Sequence, residues 1–299
     1  MTRASSPHPH HHVLNRHRTN RTHRTPRTRE STMSIASDFA RTIRHREKAV
    51  GYWITLDAPP ATERVARLGY DYVCLDAQHG LFGYQGMMTG LLAIDAGQTS
   101  AGLVRVEAND ITPIGKALDA GAAGVIVPLV DTAEDAAAAV RSAKYPPIGR
   151  RSYGPMRSSL RVGPVPAEAN DTTLVLAMIE TPDGLANVEA IAATPGLDGL
   201  YVGPSDLCIA VGGAYPGDPA VQVEFDAALV RIAAAAEAAG IAAGIHTPHG
   251  DVARRRLAAG YTFATVAGDL NHLEAAARDH LQRALATDDT DATTAGGAA

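Results

Sequence analysis

The sequence predicts a closed (β/α)8 barrel, and three observations predict it. Eight short β-rich runs alternate with eight amphipathic, Ala-rich stretches between residues 50 and 285. The runs are apolar nearly throughout rather than at every second position, the pattern of strands covered on both faces of a parallel sheet. The span expected to fold, 36–286, has the typical size of such barrels, about 250 residues. An open doubly wound sheet is the rival, but no G-x-G-x-x-G follows the first run.

The elements follow in order. V-G-Y-W-I-T-L (50–56) is aromatic and β-branched, and a helix at 61–69 follows it. Y-V-C-L-D (72–76) is the second strand, with its helix at 84–96. G-L-V-R-V (102–106) leads to 111–120, and G-V-I-V-P (124–128), ended by a proline, leads to 132–143. T-L-V-L-A-M-I (173–179) precedes 183–193, and G-L-Y-V-G (199–203) precedes the long helix 223–239. I-A-A-G-I-H (241–246) with 249–259, and F-A-T-V-A (263–267) with 271–285, complete the eight units. Gly69, Gly97, Gly121, Gly240 and Gly260 close helices, where a left-handed residue commonly terminates the spiral.

The ends read differently. Residues 1–32 hold seven arginines, one acid and six of the twelve histidines, with almost no apolar periodicity. Such a segment cannot bury enough surface to offset its ordering entropy, so 1–35 is expected to be a disordered extension. A nucleic-acid arm, a metal-binding tract (His8, His10, His11, His12) and a transit peptide are the functional alternatives. The plain one is upstream sequence that never folds, or is never made if translation starts at Met33. The tail 287–299 (T-D-D-T-D-A-T-T-A-G-G-A-A) is also expected to be disordered.

Composition excludes several classes. The net charge is −5, and the arm's net +6 leaves −11 on the remainder, which argues against nucleic acid as a partner. No stretch approaches the roughly 18 uninterrupted apolar residues of a membrane helix. Two cysteines, Cys74 and Cys208, are too few for a disulfide scaffold, and a cytoplasmic location is expected. The three lysines, Lys48, Lys116 and Lys144, lie away from the predicted strand ends, which disfavours Schiff-base chemistry.

Catalytic groups in such barrels come from the C-terminal strand ends. Polar residues collect there: Asp76 to Gly80 after strand 2, Arg105 and Glu107 at strand 3, Glu180 at strand 5, Gly203 to Leu207 after strand 6, His246 at strand 7 and Asp269 after strand 8. Glu180 and Asp206, from neighbouring strands, can converge on one ion. Oxygen ligands without a thiolate suit Mg²⁺ or Mn²⁺, with Co²⁺ or Zn²⁺ as alternatives. The opposing reading is that each carboxylate caps the helix that follows it. Arg105, between two valines, needs an anionic partner, either Asp76 or a substrate carboxylate. His79 suits a general base if a carboxylate orients it.

Taken in order, G-Y-W, L-D-A-Q-H-G, L-V-R-V, K-A-L-D-A-G-A-A-G-V-I-V-P, A-K-Y-P-P-I-G-R-R, M-I-E-T, L-D-G-L-Y-V-G-P-S-D-L and A-A-G-I resemble the HpcH/HpaI family of class II pyruvate aldolases over most of 45–285. The resemblance implies a barrel of the phosphoenolpyruvate/pyruvate type that cleaves a 4-hydroxy-2-oxo acid to pyruvate and an aldehyde, reversibly. It implies a divalent cation on Glu180 and Asp206, chelated by pyruvate, with Arg105 stabilising the enolate. It implies His79 as the base, Asp119 as the acid that raises its basicity, and Asp76 as the acid opening the histidine motif. Ser205, with Gly203 and Pro204, matches a substrate-contacting stretch, and Met178 stands where some aldolases carry a pyruvate-contacting Gln. A homo-oligomer, a hexamer with an exchanged C-terminal helix, is implied as well.

This chain departs from the pattern at Gln78, where the aldolases have Glu, at Met178, and at His246, a local addition to the pocket. Two rival functions follow: a carbon–carbon lyase acting on CoA thioesters, and a non-catalytic 2-oxo-acid binding protein.

Overall fold

Eight strands close on one another in chain order: β1 (Ala49–Ile54), β2 (Tyr72–Asp76), β3 (Ala101–Arg105), β4 (Gly124–Val127), β5 (Leu174–Ile179), β6 (Gly199–Val202), β7 (Ala242–Thr247) and β8 (Phe263–Gly268). Every pairing is parallel, and β8 returns to β1 through an irregularity between Gly51 and Trp53. The structure, a computed structural model, describes residues 34–286. Among these residues no helix is long and apolar enough to cross a membrane. The Arg/His arm and the tail lie outside the described residues, apart from Ser34 and Ile35. Those two belong to the fold, since Ser34 caps a helix by accepting a hydrogen bond from the Ser37 amide.

Two apolar clusters explain why the strands are apolar on both faces. Val73, Leu75, Val104, Val125, Val175, Leu200, Val202, Ala243 and Ile245 pack outward against the helices. Their neighbours in sequence, among them Tyr72, Cys74, Leu103, Leu174, Leu176, Met178, Tyr201 and Phe263, fill the barrel interior. The period-two alternation of a strand thus sends consecutive residues into different cores. Inside, glycines stand where aromatic rings need room. A Cβ on Gly51 would lie 2.2 Å from the Tyr72 ring, and one on Gly244 2.1 Å from the Phe263 ring. The Tyr72 and Tyr201 hydroxyls both meet Thr265 Oγ1, at 2.7 and 2.6 Å, so these two buried phenols are satisfied.

The helices around the barrel are α1 (Ile35–Arg44), α2 (Pro59–Ala66), α3 (Tyr84–Gly97), α4 (Ile111–Asp119), α5 (Ala133–Ala143), α6 (Pro166–Thr172), α7 (Pro182–Ala186), α8 (Val188–Ala192), α9 (Pro204–Ala210), α10 (Gln222–Ala238), α11 (Gly250–Ala258) and α12 (Asp269–Leu285). Sequence patterning misses α1, α6 and α9. It also joins α7 and α8, which break at Asn187, whose side chain donates to the Asp131 carbonyl at 2.8 Å. The buried Phe39 and Ile43 of α1 belong to the interior cluster, with Phe39 against Tyr72 at 5.3 Å between ring centres. Gly97 is not the left-handed cap of α3. Gln98 takes that conformation at φ 63°, and Gly97 is glycine because a Cβ would fall 2.6 Å from Ala66 Cβ.

Candidate active site

The last inward positions of the strands gather at the C-terminal mouth. Asp76 ends β2 and Arg105 ends β3, and the two residues are register partners. They form a bidentate ion pair, Nε to Oδ1 at 2.8 Å and Nη2 to Oδ2 at 2.5 Å. Asp76 is 2 % exposed and Arg105 8 %. Trp53 of β1 donates its indole N–H to Asp76 Oδ2 at 3.1 Å, and the amides of Gln78 and His79 both donate to Oδ1 at 3.1 Å. Burial alone would push the Asp76 carboxyl up. Arg105, the His79 amide and Trp53 outweigh it and hold the carboxyl below its ordinary value. Asp76, one of the two partners expected for Arg105, holds Nε and Nη2, and Nη1 donates no hydrogen bond among the described residues.

The same carboxylate fixes the histidine loop. Gly80 N–H donates to the Asp76 carbonyl at 2.9 Å, and a Cβ on Gly80 would lie 2.1 Å from that oxygen, so the turn requires glycine. His79 is carried on this turn at the surface of the mouth, with its ring unpartnered among the described residues.

Glu180 follows β5 on the inward side and is 3 % exposed. Oε1 accepts the Leu129 amide at 2.9 Å; Oε2 faces Gly203, where a Cβ would lie 2.5 Å from it and 2.9 Å from Met178 Cε. Glycine at 203 therefore makes room for the carboxylate. Burial raises the Glu180 carboxyl above its ordinary value, and the Asp206 charge adds to the rise, while Leu129 N–H and Arg105 oppose it. Asp206 and Ser205 are exposed in the first turn of α9, behind Pro204.

The capping reading fails for both acids. Thr181 caps α7, its hydroxyl accepting from the Gly184 amide at 2.9 Å, and α9 has no side-chain cap. Two neighbouring carboxylates, one with an oxygen left open, fit a hard divalent cation. Among the described residues no third His, Cys, Asp or Glu joins them, so the remaining positions would fall to water or substrate oxygens.

His246 is the last inward residue of β7. Its ring meets Trp53 edge-on at 5.3 Å, and burial followed by the Arg105 charge pulls it down to about 4, so it is neutral near pH 7. Asp119 is not at this mouth. It ends α4, the helix returning to the other end of the barrel, and accepts from Arg151 Nη2 at 2.7 Å. Within one subunit it does not orient His79. Asp269 also has a structural task, accepting from the Thr55 and Leu56 amides and so tying the loop after β1 to the start of α12. Cys74 is fully buried in the barrel interior, where burial pushes its thiol up.

Two contributors escape a reading of side chains. Trp53 belongs to the site through its indole N–H and through its ring, which lies 5.1 Å from the Arg105 guanidinium carbon. A tryptophan at an inward strand position was the available signal. Leu129 contributes only its amide, held at φ 52°, and no sequence pattern announces a non-glycine residue there.

A parallel barrel whose mouth joins a guanidinium to an open carboxylate pair defines an enzyme built to stabilise developing negative charge. The model of the HpcH/HpaI aldolase/citrate lyase family matches residues 49–276. A hydroxypyruvate/pyruvate aldolase of Rhizorhabdus wittichii is 40 % identical over 239 residues, 80 % of this chain and 94 % of the relative. A 4-hydroxy-2-oxovalerate aldolase of Rhodococcus jostii is 35 % identical over 80 % of this chain and 93 % of the relative. A crystal structure of an HpcH/HpaI aldolase/citrate lyase family protein from Burkholderia cenocepacia superposes with a TM-score of 0.76 at 34 % identity, covering 84 % of this chain and all of that one. The chain belongs to the HpcH/HpaI aldolase/citrate lyase family, and it is a carbon–carbon lyase of the pyruvate aldolase type.

Proposed function

We propose that the protein cleaves a 4-hydroxy-2-oxo acid to pyruvate and an aldehyde, and runs the reverse addition, with Glu180 and Asp206 holding a divalent cation. The observation that carries this reading is the pairing at one mouth of the Arg105–Asp76 ion pair with the open Glu180–Asp206 carboxylates. When bound, the cation supplies Lewis-acid charge for the 2-oxo acid; Mg²⁺ or Mn²⁺ suits the oxygen donors.

Arg105 aims its guanidinium at the oxygen that becomes negative as the C3–C4 bond breaks. It is pre-placed by Asp76, so no reorganisation is needed when the charge develops. Asp76 already accepts five hydrogen bonds, and it acts by positioning Arg105 and the His79 loop rather than by moving a proton. His79, exposed and unpaired at the mouth, removes the 4-hydroxyl proton, directly or through water. Gly203, Met178, Pro204 and Ser205 shape the wall beside the carboxylates. The product pair is small-molecule pyruvate and an aldehyde.

The working unit is an oligomer of this chain. Helix α12 buries no residue in the single subunit, and Leu273, Leu281 and Leu285 are all exposed along it, which supports its seating on a second copy. An arrangement of this kind is the one in which Asp119 could serve a neighbour's His79. The test of the reaction is aldol cleavage followed by pyruvate release: Arg105→Ala is expected to lose on the order of a hundredfold in turnover. Near-normal turnover would remove Arg105 from the chemistry.

A further inference from the structure

His246 is a pocket group that the chemistry above does not use. Ala242, Gly244 and His246 are the inward positions of β7, and His246 is the one at the mouth. Its ring stands edge-on to Trp53 with an interplanar angle of 75°. The same indole lies 5.1 Å from the Arg105 guanidinium carbon and stacks on Tyr201 at 6.0 Å between ring centres. In an eight-stranded barrel β7 is four strands from β3, so His246 and Arg105 come from opposite sides of the mouth, and each lies against Trp53.

Neither imidazole nitrogen has a hydrogen-bond partner among the described residues. The ring is neutral near pH 7, so it presents one donor and one acceptor toward the pocket. A polar group placed against Trp53 without a protein partner leaves its hydrogen bonds for whatever fills the mouth. The 2-oxo acid half of the substrate lies with Arg105 and the carboxylate pair. The other half is left to reach His246, the mouth group without a partner.

We propose that His246 hydrogen-bonds a hydroxyl on the aldehyde half of the substrate, so that the enzyme takes 2-hydroxyaldehydes in preference to alkyl aldehydes of the same length. The inference rests on the aldolase reading given above. A hydroxyl both donates and accepts, so it matches the neutral imidazole in either tautomer. No charged group is needed, and an aldehyde carrying only alkyl carbon would leave the imidazole without a partner from the substrate.

The test is the aldol addition of pyruvate with Mg²⁺ to glycolaldehyde and, separately, to acetaldehyde. The quantity read is the ratio of the two kcat/KM values within each enzyme, so any general loss of activity cancels. In His246→Leu the ratio is expected to fall about tenfold or more from wild type, and in His246→Gln, which keeps a donor and an acceptor, to stay within about threefold. An unchanged ratio in His246→Leu overturns the assignment. So does a wild-type enzyme that favours the alkyl aldehyde in this pair and also favours propanal over lactaldehyde, a comparison that stands even if a variant fails to fold. Metal-dependent exchange of pyruvate methyl protons in the wild type separates the two levels. Exchange without hydroxyl preference refutes only the role of His246, and no exchange refutes the aldolase reading together with it.

Discussion

Asp76→Asn removes one charge and changes almost no volume, and the structure forecasts a large effect. In the native site Oδ1 accepts from Arg105 Nε and the Gln78 and His79 amides, while Oδ2 accepts from Arg105 Nη2 and Trp53 Nε1. Every one of these partners is a donor. If the asparagine keeps its oxygen toward Nε and the two amides, its NH2 faces two N–H groups at the former Oδ2 position. If it flips, the NH2 faces three. Neither rotamer satisfies the site, and Arg105 keeps a buried charge without its counterion. Breaking a buried pair in this way costs about 3 kcal/mol or more. For a domain of this size that corresponds to a fall in Tm of roughly 6–12 °C.

The assay is thermal unfolding of wild type and variant at pH 7, together with pyruvate exchange on the folded protein. The Asp76 carboxyl is held below its ordinary value, so its contribution is fully present above the value it has when unfolded. It is lost as pH falls through the lower folded value, so the gap between wild type and variant should narrow in acid. A Tm within about 3 °C of wild type at pH 7, with exchange intact, would refute the reasoning that this pair organises the site.

Four further outcomes are expected. Gly203→Ala puts a methyl 2.5 Å from Glu180 Oε2 at a backbone φ of −88° that alanine accepts, so the fold should persist while Mn²⁺ affinity measured by calorimetry drops about tenfold or more. Glu180→Gln keeps the acceptor for Leu129 N–H but removes a charge whose carboxyl is raised by burial. A raised acid stabilises the fold below its folded value and loses that advantage as pH rises, so the variant should be the more stable protein at pH 7 after chelation, and Mn²⁺ should no longer raise its Tm. Arg105→Lys loses the planar fork that grips Asp76, and turnover should fall on the order of a hundredfold with the fold retained by circular dichroism. Removal of Leu273–Ala286 strips the exposed leucines of α12, and light scattering should find a smaller species than the full chain; an unchanged mass would remove α12 from the assembly.

Much of this was legible in the sequence, for physical reasons. A strand buried on two faces is apolar at every position, so the eight runs stood out, and a closed barrel forces their last inward residues to one mouth. That logic brought Asp76, Arg105, Glu180 and His246 to the same end. It could not decide whether Glu180 and Asp206 cap helices, because Thr181 competes for the same N-terminus and only geometry shows that its hydroxyl wins. Short helices such as α6 and α9 escaped because one or two turns carry too little periodicity. The Leu129 amide was invisible because backbone groups have no letter of their own. Asp119, matched by its motif, lies at the end of α4 beside Arg151 rather than beside His79 of the same subunit. A single sequence does not encode which subunit a residue serves.

The central claim is that this mouth forms an enolate from pyruvate. Proton NMR of pyruvate in D2O with the enzyme and Mg²⁺ or Mn²⁺, with and without chelator, tests it most directly. Metal-dependent loss of the methyl signal, abolished by chelator and by Glu180→Gln, is the predicted result. Folded wild-type protein that leaves the methyl signal intact with every divalent metal tried would contradict the account.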